Sequence, residues 1–229
     1  MKGLSKRSKY PISVDCVIFG YADKKLSVAL IERKKAPFKG DWAIPGGFLI
    51  DDETVEEAAF RELEEETGIH DIYLEQFAVF SHPKRDPRGR VITIAFFALI
   101  DSDTIQLTAT EDAASAKWYP LDELPPLAFD HPEIYAKALL SLKESILIKP
   151  LAFELLPKEF TLTMLQNLYE QIFTITLDKR NFRKKISTMN FIQETSKTTQ
   201  NDKHRPAKLY RFNKKKYLKN KEITPYIFI

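Results

Sequence analysis

The segment "GGFLIDDETVEEAAFRELEEETGI", residues 46–69, holds nine acidic residues and a single base, Arg61. Charge runs of this kind are usually the solvated face of a helix. A divalent-cation site is the sharper alternative, and spacing decides between them. Thr54 followed three residues later by Glu57 is a capping-box start for a helix over residues 55–66. Gly68 suits a left-handed stop just past its end. Val55, Ala59 and Leu63 recur every four residues and predict the buried stripe. Glu62, Glu65 and Glu66 are related by i+3 and i+4, so all three project from one face. Clustered carboxylates repel, and their pKa values rise without a counter-ion. A hard divalent cation, which takes oxygen ligands, reverses that sign. Arg61 lies one turn from both Glu57 and Glu65 and can orient the cluster by ion pairing.

The chain around this segment has 229 residues, 44% of them hydrophobic, which is enough for one large domain or two modest ones with a buried core. Its one cysteine, Cys16, sits in the apolar run "VDCVIFGY" and reads as a buried strand residue without an intrachain disulfide. No apolar region follows the basic "MKGLSKRSKY", and no stretch approaches the roughly 20 apolar residues of a membrane span. A soluble cytoplasmic protein is the expectation. The net charge of +3 is unevenly divided: residues 1–149 carry −6 and residues 150–229 carry +9. Such a split suggests two functions, with the basic part facing a polyanion.

The first part alternates strand and helix signals. "SVDCVIFGY" and "KLSVALIER" read as paired strands, "DWAIPGGFL" as a short strand with a Gly-Gly bend, and "IYLEQFAVF", "RVITIAFFALI" and "SAKWYPL" as further strands. "PEIYAKALLSLKESIL" reads as a helix. This suits an α+β sandwich with helices on a sheet. Composition turns basic beyond Pro150, which predicts a boundary between residues 1–149 and residues 150–229. In the second part Leu162, Leu165, Leu168, Tyr169 and Ile172 make one apolar helix face. A second helix follows with Asp178 as N-cap, and then "NFIQET" and "AKLYRFN" make a hairpin. Helix, turn, basic helix and hairpin is the order of a winged helix-turn-helix.

From Gly47 to Ile69 the acidic segment places Gly47, Glu53, Arg61, Glu62, Leu63, Glu65, Glu66, Gly68 and Ile69 at every fixed position of the pattern it resembles, the Nudix box. The resemblance implies an α/β/α sandwich and hydrolysis of a nucleoside diphosphate linked to another group, with Mg²⁺ (or Mn²⁺). It makes Glu62, Glu65 and Glu66 metal ligands and, with Arg61, the catalytic set. The Gly46-Gly47 bend is expected at the substrate. Between two strands, "SHPKRDPRGR" contains the β-turn signal Asp86-Pro87-Arg88-Gly89. Arg85 and Arg88 are candidates for phosphate or ribose contacts, beside the alternative of a solvated hairpin. Glu111 or Asp112 is a candidate loop base, with an exposed turn as the alternative. Asp130 and His131 either line the pocket or cap the helix that begins "PEIYAKAL".

On the second helix Lys179, Arg180, Asn181, Arg183 and Lys184 are expected to face DNA, with Phe182 and Ile186 buried beneath them. Lys203, Arg205, Lys208 and Arg211 favour a wing that tracks phosphates. A Nudix domain followed by "LLPKEFTLTMLQNLYEQIF…LDKRNFRKK…RPAKLYRFN" resembles the Nudix-related transcriptional regulators, the arabinose regulators especially. These sense ADP-ribose or related ligands and repress genes of NAD metabolism or sugar catabolism. The resemblance implies a homodimer on double-stranded DNA with an ADP-ribose-like ligand. Many such regulators have eroded boxes; this box is complete, which favours retained hydrolysis. The alternative is an ADP-ribose pyrophosphatase with an accessory basic domain.

Overall fold

The computed structural model describes residues 9–22, 25–70, 72–102, 105–109, 113–199 and 206–219. Its sheet is built on β1 (Ile12–Ala22) and β2 (Lys25–Arg33). Every residue of β1 from Ser13 to Tyr21 is buried, and so is every residue of β2 from Leu26 to Ile31. Burial on consecutive residues, rather than on alternate ones, means both faces of these strands are covered. β3 (Trp42–Ala43) pairs antiparallel with β2, and β4 (Gly46–Phe48) pairs antiparallel with β1 in the register Val14 to Gly47. β5 (Glu75–Phe80), β6 (Ile92–Ile100) and β7 (Ala113–Pro120) complete seven strands among the described residues, with the path β3-β2-β1-β6-β5 and β7 on β2. The strand expected from residue 72 begins at Glu75.

Helix α1 (Val55–Thr67) starts at Thr54, whose hydroxyl accepts the Glu57 N–H while the Glu57 carboxylate accepts the Thr54 N–H. It ends at Gly68 in the left-handed conformation with φ 73°. α1 packs on β4 and β7. Its buried stripe is Ala58, Ala59, Leu63, Glu66 and Thr67; Val55, expected there, is only half-buried. In α2 (His131–Ile148), Ile134, Ala138, Leu142 and Ile146 recur every four residues and are fully buried.

By packing, the chain divides into two compact units. The first comprises residues up to Ile18, Val28–Ala98 and Gln106–Leu139. The second comprises Phe19–Ser27, Leu99–Ile105 and the chain from Leu140 onward, so it includes the tip of the β1–β2 hairpin. In this second unit the N–H of Leu26 donates to Gln171 Oε1 at 2.6 Å. A 3-10 turn at Leu151–Leu155, not expected from the sequence, precedes α3 (Leu162–Phe173) and α4 (Lys179–Ser187). Thr161 caps α3 through the Met164 N–H, and Asp178 caps α4 through the Asn181 N–H. β8 (Ile192–Thr198) and β9 (Lys208–Phe212) form the hairpin, and α5 (Lys214–Lys219) follows. Leu165, Leu168, Tyr169 and Ile172 from α3, with Phe182 and Ile186 from α4, supply buried core. Phe153 stacks on Phe212 with ring centroids 4.4 Å apart, tying the 3-10 turn to β9. No helix among the described residues is long and apolar enough to cross a membrane.

Candidate functional site

Glu66 is the pivot of the acidic helix. Its carboxyl is buried, and Oε2 accepts the Gly46 N–H at 2.7 Å. Burial, reinforced by Glu62 and Asp15, pushes its pKa up to about 8 in spite of that hydrogen bond. Glu62 sits against Gly47 so closely that a β-carbon on Gly47 would collide with its carboxylate. A β-carbon on Gly46 would collide instead with the backbone oxygen of Val14. The Gly-Gly bend is therefore a steric requirement of the acidic face and of the β1–β4 pairing.

Arg61 binds this face together. Nε and Nη2 donate to the two oxygens of Glu53 at 2.9 and 2.6 Å, Nη1 donates to Glu62 Oε1 at 2.8 Å and to Glu65 Oε2 at 3.2 Å, and Nη2 also reaches the Phe48 carbonyl at 3.0 Å. The hydrogen bonds to Arg61 hold Glu53 down to about 2. Of the two partners expected one turn away, Glu65 pairs and Glu57 does not, because the Glu57 carboxylate is spent on the helix cap. Glu53, ahead of the helix, takes its place.

Among the described residues no three His, Cys, Asp or Glu side chains stand as a ready metal shell. The donors nonetheless fit a hard divalent ion in kind. They are carboxylates on one helix face, and one of them, Glu66, is buried without an ion pair among the described residues. Arg61 pairs with Glu53, Glu62 and Glu65, and not with Glu66.

The four expected substrate-side residues, Gly46, Gly47, Arg85 and Arg88, line one pocket. Asp15, Arg33, Phe48, Asp86, Phe129 and His131 line it with them. Arg85 is buried in its floor: Nε and Nη2 each donate to Asp130 at 2.8 Å, and Nη2 lies 3.4 Å from Asp15 Oδ2. Thr93 donates its hydroxyl to the same Asp15 oxygen at 2.7 Å. His131 Nδ1 accepts the Ile44 N–H at 2.9 Å, which leaves the Nε2 proton facing Asp15 Oδ1 at 3.5 Å. Burial lowers the His131 pKa, so the ring is neutral. Of the two, His131 lines the pocket, and Asp130 supports it by holding Arg85. The Asp130 carboxylate goes to Arg85; the helix start uses only its backbone carbonyl.

Arg88 closes the β-turn expected at residues 86–89. The Asp86 carboxylate accepts from its backbone N–H at 2.8 Å and from Nη2 at 2.6 Å. The Arg88 guanidinium carbon stands 4.9 Å from the Phe48 ring centre and 5.5 Å from that of Phe129. Arg33, not singled out in the sequence, stands 4.7 Å over the Phe129 ring. Phe129 has a left-handed backbone, φ 54°, a conformation of order 1 kcal/mol uphill for a residue of this kind. Glu111 and Asp112 lie outside the described residues.

In the second unit Lys179, Arg180, Asn181, Arg183 and Lys184 are all exposed on α4, with Phe182 and Ile186 buried on the opposite side. The turn before α4 is fixed by Glu170, whose Oε1 accepts the Leu177 N–H at 2.8 Å and the Gln166 side-chain amide at 3.0 Å. A cleft of about 830 Å³ is lined by Thr161 and Thr163, by Lys179 and Arg183 of α4, and by Lys208 and Tyr210 of β9. Lys208 is exposed, and its Nζ pairs with Glu194 Oε1 at 2.7 Å. Lys203 and Arg205 lie outside the described residues.

Residues 9–138 match the NUDIX domain family, and residues 152–212 match the NrtR DNA-binding winged helix domain. The chain is 38% identical over 214 residues to the "ADPR responsive transcriptional repressor NtrR" of Acinetobacter baylyi, covering 90% of this chain and 85% of that protein. It is 47% identical over 115 residues to an ADP-ribose pyrophosphatase of Methanocaldococcus jannaschii, covering 50% of this chain and 67% of the relative. The crystal structure of Shewanella oneidensis NrtR complexed with a 27mer DNA matches with a TM-score of 0.76 at 30% identity, covering 95% of this chain and 97% of that one. The chain therefore belongs to the Nudix family, among its NrtR-type members that join a Nudix domain to a winged helix.

Proposed function

We propose that this protein is an ADP-ribose-responsive transcriptional repressor whose Nudix domain binds ADP-ribose and whose winged helix binds double-stranded DNA. The observation that carries this is the match to an ADPR responsive repressor across both halves of the chain, rather than over the Nudix half alone. Functionally, residues 1–149 act as the ligand domain and residues 150–229 as the DNA-binding domain. The exposed cations of α4 suit a groove-entering helix. Arg180 and Asn181, in its first turn, are offered for base edges, and Lys179, Arg183, Lys184 and Lys208 for phosphates, together with Arg205, which lies outside the described residues. A homodimer on a two-fold site, with half-sites about one helical turn or a multiple apart, follows from this mode of docking.

The same Nudix site hydrolyses ADP-ribose to AMP and ribose 5-phosphate. Glu62, Glu65 and Glu66 would hold Mg²⁺ (or Mn²⁺), with Arg61 orienting Glu62 and Glu65. Held there, such an ion would supply charge neutralisation of the diphosphate and activation of water. Gly46, Gly47, Arg85 and Arg88 belong to the substrate side, with Arg85 acting through Asp130 and Asp15. The complete acidic motif favours a second reading, an ADP-ribose pyrophosphatase whose basic domain is accessory.

A gel-shift titration with ADP-ribose and Mg²⁺, with AMP release assayed in the same tubes, separates the two. The repressor reading expects a specific promoter fragment to be bound and that binding to change with ADP-ribose, by a coupling of about 1–3 kcal/mol. AMP release with no fragment preferred over random DNA leaves the enzyme reading in its place.

A further inference from the structure

Two guanidiniums stand over one aromatic ring in the pocket of the first unit, and only one of them is in an ion pair among the described residues. Arg88 is engaged by Asp86 through three side-chain hydrogen bonds, the shortest 2.6 Å. Arg33, half-buried at the end of β2, has its Nε on the Pro37 carbonyl at 3.0 Å and its Nη2 at 3.5 Å from the Lys35 carbonyl. No carboxylate pairs with it among the described residues. Burial and the like charge of Arg88 lower its pKa, against the partial offset of Glu66, Asp86 and Asp15, none of which pairs with it directly. Both guanidiniums stand within 5.5 Å of the Phe129 ring centre. That ring is held between Phe38, at 4.6 Å, and His131, at 5.3 Å. Two arginines that repel are kept together in a pocket where Asp15 is already paired by Arg85, which also holds Asp130 behind it.

We infer that Arg33 and Arg88 form a two-armed anion clamp beside the Phe129 ring, and that it takes the diphosphate of the ligand, with Arg33 deciding selection for a diphosphate over an uncharged nucleoside. The clamp deepens the proposal that this pocket is the nucleotide site. Planar guanidiniums give paired N–H donors that match phosphate oxygens, and a bound diphosphate removes the repulsion between them.

Isothermal titration of the full chain with ADP-ribose, with inorganic pyrophosphate and with adenosine tests this, using wild type, Arg33→Ala and Arg33→Lys. Arg33→Ala is expected to weaken ADP-ribose and pyrophosphate about 10- to 100-fold, the scale of a lost charged hydrogen bond, and to leave any adenosine binding unchanged. Arg33→Lys is expected to recover part of the loss. Arg33 also anchors the loop carbonyl of Pro37, so a measurement on wild type runs in parallel: phenylglyoxal labelling of Arg33, read by peptide mass, with and without pyrophosphate. Protection of Arg33 supports the clamp even if the variants fail to fold. Wild-type ADP-ribose binding with no protection of Arg33, or with an unchanged Arg33→Ala, overturns the clamp and leaves the ADP-ribose reading standing. Pyrophosphate binding through Arg33 without ADP-ribose binding supports the clamp and overturns that reading. Binding of neither overturns both.

Discussion

The carboxyl of Glu66 accepts the amide N–H of Gly46 at 2.7 Å while a neighbouring carboxylate, Glu62, presses against Gly47. Two adjacent glycines thus meet two of the acidic residues of one helix face. A buried acid, a crowded acid and an arginine shared among three carboxylates make this face sensitive to charge, metal and side-chain volume.

The first prediction concerns pH. The pKa of Glu66 is raised to about 8 in the fold from an ordinary value of 4.5, so the folded state binds its proton more tightly than the unfolded chain does. The corresponding stability is fully present below about pH 4.5 and is lost as pH rises through about 8. The loss is of the order of a few kcal/mol. Glu66→Gln imitates the protonated carboxyl and keeps an oxygen for Gly46. In EDTA, thermal melts from pH 6 to pH 9 should show wild type losing more stability than Glu66→Gln, and Mg²⁺ should restore wild type alone. Parallel curves for the two proteins would contradict a buried protonated Glu66.

The two glycines should fail in different ways. Gly46→Ala meets the backbone oxygen of Val14, which cannot move without disturbing β1, so it should lower the melting temperature. Gly47→Ala meets the end of a side chain, which can swing aside. It should melt close to wild type and lose Mg²⁺-dependent AMP release by about 10²-fold, the scale of misplacing one preorganised charged group. Melting curves and turnover measured on both variants check the contrast; equal behaviour of the two refutes it.

Arg85→Ala should be a stability mutant. It leaves Asp15 and Asp130 facing each other's surroundings without their shared cation, and breaking a buried pair costs about 3–5 kcal/mol. For a chain of this size that is roughly a 10 °C fall in melting temperature. Differential scanning calorimetry gives the answer. A variant that melts like wild type but no longer binds ADP-ribose would make Arg85 a ligand contact instead.

On DNA, the two lysines offered for phosphate should differ. Lys184 is free of an ion pair among the described residues, whereas Lys208 is held by Glu194 at 2.7 Å. Lys184→Ala should flatten the salt dependence of binding by about one unit, and Lys208→Ala by less, because Glu194 already offsets its charge. Glu194→Gln should strengthen binding to all sequences. Fluorescence anisotropy across a salt series measures all three, and a larger effect from Lys208 than from Lys184 would refute the ordering.

What the sequence revealed depended on whether the signal was local. The capping boxes and N-caps, Thr54 with Glu57 and Asp178 with Asn181, were legible because their partners are three residues apart. The acidic face was legible for the same reason. Arg61 was legible only in part: helical spacing offered Glu57, but a cap competes for that carboxylate, and Glu53 lies outside the helix where periodicity has no reach. The pocket was harder still. Asp15, Arg33 and Arg85, with Asp130 behind Arg85, come from four separate segments that only the fold brings together. A faint signal did exist, since Asp15 is an acid inside an apolar strand and buried acids are rarely left unpaired.

The hydrogen bond from Leu26 to Gln171 bears on how such a protein can be taken apart. The tip of the β1–β2 hairpin, Phe19–Ser27, packs with the chain beyond Leu140, and Phe19, Tyr21 and Leu26 within it are buried. A cut after residue 149 would strip the Leu26 amide of its acceptor and wet part of that apolar surface. Module swapping between relatives should therefore carry the hairpin tip along with the reader of the DNA, as a graft that follows contacts instead of chain order.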